Sequence, residues 1–185
     1  MERGSFWSGF AAGAALGALA GIGGVLAARR LSSGTDSHIL RLEKSINIGQ
    51  PLELVFSAWS NLERLPQCIS FVKRIERFGS RARWWINLDG KEFAWDSQTT
   101  QLVPQQSIGW KSLSGPKHTG RIHFAPLGNQ TVVHIVMNYA PPFGGLGSML
   151  PIDQHLENWI EQGLREFKAA LEKPEKNRAS VFVSG

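Results

Sequence analysis

The sequence predicts an α+β domain, a curved antiparallel sheet crossed by one long C-terminal helix, set behind a separate apolar N-terminal segment. Three observations carry this prediction. Between Phe71 and Tyr139, short runs of alternating apolar and polar residues are separated by turn residues, the pattern of an antiparallel meander. From Pro151 to Glu172 the apolar period becomes helical, placing Ile152, Leu156, Trp159, Ile160, Gly163, Leu164, Phe167 and Leu171 on one face. Finally, the stretch from Phe6 to Ala28 carries no charged side chain.

The first strand is expected over Ile39 to Ile48, with Ile39, Arg41 and Glu43 on one face and Leu40, Leu42 and Lys44 on the other. Pro51 then opens a helical pattern in which Leu54, Val55, Ala58, Leu62 and Leu65 share a face, and Pro66 ends it. Within the meander, Asp89-Gly90 is a strong two-residue hairpin signal. Folding there pairs Leu88 with Lys91, Ile86 with Phe93 and Trp84 with Trp95 on one face. The other face pairs Asn87 with Glu92, Trp85 with Ala94 and Arg83 with Asp96. A single register thus yields both an apolar face and a charge pair. A second hairpin at Gly128-Asn129 pairs Phe124 with Val133 and Ile122 with Ile135. Between them Ile108 and Trp110 alternate with Ser107, Gly109 and Lys111, so the sheet presents a wide apolar surface that the C-terminal helix must cover.

The N-terminal segment reads as a membrane anchor. As a helix it would run about 35 Å, enough to cross a bilayer's hydrocarbon core. Gly9, Gly13, Gly17 and Gly21 lie four apart and form a smooth stripe on one helix face, where a partner's transmembrane helix or a second copy could approach closely. A cleaved signal peptide ending near Ala18-Leu19-Ala20 and a soluble Gly/Ala-rich helix are the competing readings. Against cleavage, the apolar run continues to Ala28 and ends in Arg29-Arg30. Arg29, Arg30, Arg41 and Lys44 follow the segment and Arg3 alone precedes it, which places the C-terminal domain in the cytoplasm. A lone Cys68 excludes an internal disulfide. The expected organisation is residues 1–30 as anchor, 31–37 as linker, 38–172 as the folded domain and 173–185 as a solvated tail, with Val181-Phe182-Val183 free to order against a partner.

The net charge of +5 and pI near 9.7 do not indicate nucleic acid, because basic and acidic residues are interleaved outside short pairs such as Lys73-Arg74. Proximity to anionic lipid accounts for that charge more simply. No nucleophile–base pair, metal-ligand spacing, phosphate loop or paired carboxylates stand out, so no catalytic residue, metal or cofactor is assigned. His123 is expected opposite His134, beside Arg121 and Asn138 and away from the apolar face, as an exterior polar pair. Asp96 is expected to be structural, through Arg83. His155 lies beside the helix stripe, where it could cap a cavity, and His38 and His118 are placed in linker and loop. Gly144-Gly145-Leu146-Gly147, after Pro141-Pro142, reads as a flexible lead-in to the last helix.

The order of these elements, with the phrases EKSINIGQPLELVFSAWSNLERLPQ, EFAWD (Glu92–Asp96), IGWKSLSG (Ile108–Gly115), GRIHFAPLGNQTVV (Gly120–Val133), NYAPPFGGLG (Asn138–Gly147) and LREFKAALE (Leu164–Glu172), resembles the START-like superfamily, which shares the birch-pollen-allergen fold. Within it the likeness is to the bacterial polyketide cyclase/dehydrase and coenzyme Q-binding group, and it covers nearly all of the chain after the N-terminal segment. The resemblance implies a helix-grip fold, with a hydrophobic cavity between sheet and C-terminal helix holding a lipid, a quinone or a similar apolar molecule. Carried onto this chain, the expected ligand-cavity residues are Trp84, Phe93, Trp95, Trp110, Phe124, Met137, Leu156, Trp159 and Ile160. The resulting expectation is a binding protein tethered to the bacterial inner membrane. The alternatives are an accessory subunit docked through the glycine stripe and a polyketide cyclase- or dehydratase-like enzyme.

Overall fold

The computed structural model describes residues 39–140 and 151–174. The expected anchor, the linker, the Gly144–Gly147 lead-in and the tail after Pro174 lie outside the described residues, as does the glycine stripe. Among the described residues, no helix is long and apolar enough to cross a membrane.

The chain forms β1 (Leu40–Ile48), α1 (Leu52–Ser60), a 3₁₀ turn (Leu62–Gln67), β2 (Val72–Phe78), β3 (Arg81–Leu88), β4 (Lys91–Val103), β5 (Ser107–Ser112), β6 (Lys117–Leu127), β7 (Gln130–Ala140) and α2 (Pro151–Leu171). The helix expected from Pro51 to Leu65 divides at Asn61. Pro66 has no N–H, and in an α-helix its ring would strike the carbonyl of Leu62, so the second part tightens into a 3₁₀ turn.

The strands form one sheet in the order β1-β7-β6-β5-β4-β3-β2, with every neighbouring pair antiparallel. From β2 to β7 the sheet is a meander of consecutive strands. β1, made before it, pairs with the last strand instead and sets Leu42 opposite Met137 and Lys44 opposite Ile135. Both hairpin registers expected from the sequence are present: Trp84 faces Trp95 and Ile86 faces Phe93 across the Asp89-Gly90 turn, and Phe124 faces Val133 across Gly128-Asn129. The turns require left-handed backbone at Gly90 (φ 82°) and Gly128 (φ 58°), which glycine adopts without penalty, and at Asp89 (φ 50°), a residue whose short polar side chain tolerates that region.

The core lies where α1, the 3₁₀ turn and the C-terminal half of α2 meet the concave face of the sheet. Phe167, Leu171, Ile48, Val55, Ile122 and Val133 are completely buried there. Trp59 meets the Phe167 ring edge-on at 4.8 Å, and Phe56 meets Phe124 likewise at 5.3 Å. Removing the Phe167 ring would cost about 3–5 kcal/mol, the usual range for truncating a buried aromatic.

Polar clamps fix the height and direction of α2. Glu166 accepts hydrogen bonds from the Ser70 amide (2.6 Å) and hydroxyl (2.8 Å), and Glu172 accepts one from the Gly49 amide (2.6 Å). Lys168 donates to the Asn47 carbonyl at 2.6 Å. Burial opposes ionisation of both carboxyls. Hydrogen bonds from Gln162 and Ser70 outweigh it at Glu166, and those from Lys168 and Gly49 outweigh it at Glu172, so both are held below the usual carboxylate range.

Candidate functional site on the concave face

The site is built where β3, β4, β5 and β6 bring their inward positions together. Strand alternation and the β3–β4 register put Trp84 directly beside Trp95, and their indoles stack nearly parallel with centroids 5.7 Å apart. On β5, Trp110 pairs with Gly120 of β6, and its ring occupies the space that a Cβ at residue 120 would need, coming within 2.2 Å of that position. Only glycine permits the indole to lie down against the sheet at this point. Two residues earlier on β6, His118 completes the group: its imidazole stands edge-on to Trp95 at 5.7 Å.

From the sequence, His118 is expected in a loop. It is instead the second residue of β6, opposite Tyr139 of β7, with its amide donating to the Ser112 hydroxyl at 3.0 Å. Its place on the concave face follows from Gly120, Ile122 and Phe124, which continue the same alternation. That register was the signal available in the sequence. Burial holds the imidazole near pKa 4, well below its ordinary 6.5.

The three indole N–H groups of the cluster are treated differently. Trp84 Nε1 donates to the Ser97 hydroxyl at 2.9 Å, and Trp110 Nε1 donates to His118 Nδ1 at 3.2 Å. Trp95 Nε1 is buried and has no hydrogen-bond partner among the described residues. Leaving a buried donor unmatched costs about 1–3 kcal/mol, so this N–H is a position suited to an acceptor from beyond the described residues.

Of the residues expected to line a cavity, Trp84, Phe93, Trp95, Trp110 and Met137 lie partly buried on the concave face. Phe124 is only 5% exposed and packs into the closed core against Phe56. Leu156, Trp159 and Ile160 lie partly buried on α2, with Trp159 6.0 Å from the His155 ring and Ile160 packed against the core.

The concave face also carries a charge that sequence reasoning placed on the apolar side without giving it a role. Lys44, 5% exposed, projects from β1 toward α2 and meets Glu157 at 3.4 Å and Glu161 at 3.6 Å. A buried ammonium needs such partners, and they are supplied one helical turn apart.

On the convex face, His134 accepts from or donates to the Ser45 hydroxyl (2.7 Å) through Nδ1 and approaches Glu43 at 3.1 Å through Nε2, with His123 6.4 Å away. Burial, then Arg121 and His134, lower the His123 pKa. Among the described residues no group of His, Cys, Asp and Glu is arranged to hold a metal ion. A groove open to solvent and lined by Glu53, Phe56, Arg77 and Gln105 lies between α1, β2 and the β4–β5 turn, and no tryptophan of the cluster lines it.

Residues 48–168 match the family model described as polyketide cyclase / dehydrase and lipid transport. An uncharacterized 17.2 kDa protein in the melC2-rnhH intergenic region of Streptomyces lincolnensis is 28% identical over 104 residues, spanning 55% of this chain and 69% of the relative. Among solved structures, the Zhui aromatase/cyclase from Streptomyces sp. R1128 is similar at TM-score 0.60 and 17% identity, covering 80% of this chain and 99% of that one. A START superfamily protein from Mycobacterium smegmatis matches at TM-score 0.56 and 17% identity, over 71% and 94% of the two chains. Ginseng major latex-like protein 151 from Panax ginseng matches at TM-score 0.58 and 12% identity, over 72% and 98%. At these identities the solved structures speak to the fold alone.

Proposed function

This chain belongs to the polyketide cyclase/dehydrase and lipid transport family, and on that premise we propose that it binds an apolar molecule on the concave face, against Trp84, Trp95 and Trp110. One observation carries the reading: among the described residues, Trp95 presents a buried N–H with no partner beside two indoles whose N–H groups are satisfied. The apolar surface supplies affinity without directionality, and the single donor supplies orientation toward a ligand acceptor. Lipids and quinones both combine a large apolar body with such an acceptor.

The Phe6–Ala28 segment supports a second element of the proposal, tethering in the bacterial inner membrane with the ligand domain on the cytoplasmic side. A tether raises the local concentration of the domain at the bilayer from which an apolar ligand would be drawn.

A cyclase- or dehydratase-like enzyme is the second reading, and His118 is the observation that favours it, as a neutral imidazole on the concave face. Its pKa near 4 makes it a weak proton acceptor at neutral pH, whereas a general base works best with a pKa near the working pH. Binding is therefore the preferred reading.

The test is titration of the full chain with ubiquinone and with phospholipid, read by quenching of tryptophan emission and by native mass spectrometry. A retained ligand whose affinity falls about tenfold in Trp95→Phe, with the fold intact, supports the proposal, since a hydrogen bond of about 1.5 kcal/mol is that factor. A domain that binds neither class, or binds equally well without the Trp95 N–H, sinks it.

A further inference from the structure

A different surface carries a second recognition chemistry. β2 is an edge strand of the sheet, and with β3 it forms a hairpin whose tip, Gly79-Ser80, is flanked by Phe78 and Arg81. Phe78 is 65% exposed, the most exposed of the large apolar side chains among the described residues. Around it, Lys73, Arg74, Arg77, Arg81 and Arg83 are all exposed, and Glu76 is the one carboxylate within the same hairpin.

Three of the arginines are held in place. Arg74 and Arg83 lie over the Trp85 ring at 4.8 and 5.6 Å, so that one aromatic on the convex face organises two guanidinium groups. Arg74 also meets Glu76, Arg83 lies 3.9 Å from Asp96, and Arg77 donates to the Gly79 carbonyl at 3.0 Å. Even with those two carboxylates, five cations leave the hairpin strongly positive. Charge on an edge strand commonly serves only to prevent edge-to-edge pairing. That role does not account for Phe78, since an exposed phenyl ring at the tip would work against it.

We propose that the β2–β3 hairpin docks on the surface of an anionic lipid bilayer, with Phe78 entering the headgroup–acyl boundary and the surrounding arginines and Lys73 on lipid phosphates. The register sets Arg81 directly opposite Phe78 with Arg77 next to it in sequence, while Arg83, Arg74 and Lys73 follow up the hairpin. The exposed ring thus leads and the positive charge extends behind it, as insertion of a ring beneath a layer of phosphates requires. Each basic residue near such a surface strengthens association on the order of fivefold, and the effect fades within a Debye length of about 10 Å at 0.1 M salt. The docking is independent of what the concave face binds.

Cys68 makes the experiment direct. It is the single cysteine, it is buried, and burial outweighs the opposing pull of Lys173 to raise its thiol pKa to about 11, so an introduced surface cysteine labels selectively. Phe78→Cys, Ser80→Cys and, as reference, Leu127→Cys at the β6–β7 turn would each carry an environment-sensitive fluorophore on the full chain. The chains are placed with nanodiscs of phosphatidylcholine alone or with phosphatidylglycerol, with nitroxide-labelled lipid as quencher. Labels at 78 and 80 should shift to shorter wavelength and be quenched several-fold more than the label at 127 in anionic discs only. Raising salt to 1 M, or adding Arg77→Glu with Arg81→Glu, should abolish the difference. Equal quenching at all three sites, equal quenching in neutral discs, or protection by single-stranded RNA without lipid quenching would overturn the proposal. Because ligand titration of the concave face is read separately, loss of one result leaves the other standing.

Discussion

The indole N–H of Trp110 meets Nδ1 of His118 at 3.2 Å, which makes His118 the acceptor and places its own proton on Nε2. The contact joins β5 to β6 and holds the imidazole in its neutral form, since a proton on Nδ1 would end the bond. Depression of the pKa to about 4 acts in the same direction.

Acid should therefore destabilise the domain. The folded-state pKa of His118 lies below its ordinary value, so between pH 6.5 and about 4 the unfolded chain takes up a proton that the folded chain refuses. Stability is complete above pH 6.5 and falls as pH drops through that window, by at most about 3 kcal/mol. The lowered pKa of His123 has the same sign, and the depressed carboxyls of Glu166 and Glu172 add to the loss below their ordinary value of 4.5. Urea denaturation at pH 7 and pH 5 should show the drop, and His118→Phe should shrink it while lowering stability at pH 7 by about 1–3 kcal/mol through the stranded Trp110 N–H.

Gly120→Ala should be disruptive out of proportion to its size. The added Cβ would fall 2.2 Å from the Trp110 ring, so the indole must leave the sheet or the strands must part. A loss of about 1–3 kcal/mol is expected, the range for overpacking. Red-shifted tryptophan emission and a lower melting temperature would show it, and an unchanged Trp110 environment would refute the account.

Lys44 separates pairing from burial. Glu157→Ala with Glu161→Ala strands its ammonium and should cost about 3 kcal/mol. Lys44→Met should be close to neutral, and combined with the double change it should recover most of the loss. Additive effects in the corresponding mutant cycle would mean that the ion pairs contribute nothing.

The proposed membrane tether carries a prediction of its own, that the glycine stripe mediates helix packing. Gly13→Leu with Gly17→Leu should abolish self-association or co-purification with a partner in mild detergent, without changing ligand binding by the domain. Assembly that survives both bulky residues would make the stripe incidental.

The sequence by itself determined the hairpins at Asp89-Gly90 and Gly128-Asn129. A one-residue slip there would turn Trp84, Trp95, Ile122 and Phe124 to the wrong face, so local turn chemistry and apolar alternation agree on one register. It also determined the face and length of α2, because a helical period sustained from Pro151 to Leu171 leaves few alternatives. The division of the first helix at Asn61 was harder to read, since the apolar period continues across it to Leu65.

Only the tertiary structure decided the chemistry of the concave face. Extending the Gly120, Ile122, Phe124 alternation back by two residues gives the face of His118, but only pairing with Tyr139 and the approach of Trp110 over Gly120 make it a buried acceptor. Lys44 breaks the apolar alternation of β1, and its sense emerges when α2, more than a hundred residues later, brings Glu157 and Glu161 to it. The orphan Trp95 N–H is likewise invisible in sequence. Periodicity assigns a side chain to a face, but whether its polar atoms are satisfied depends on neighbours that meet only when the chain closes.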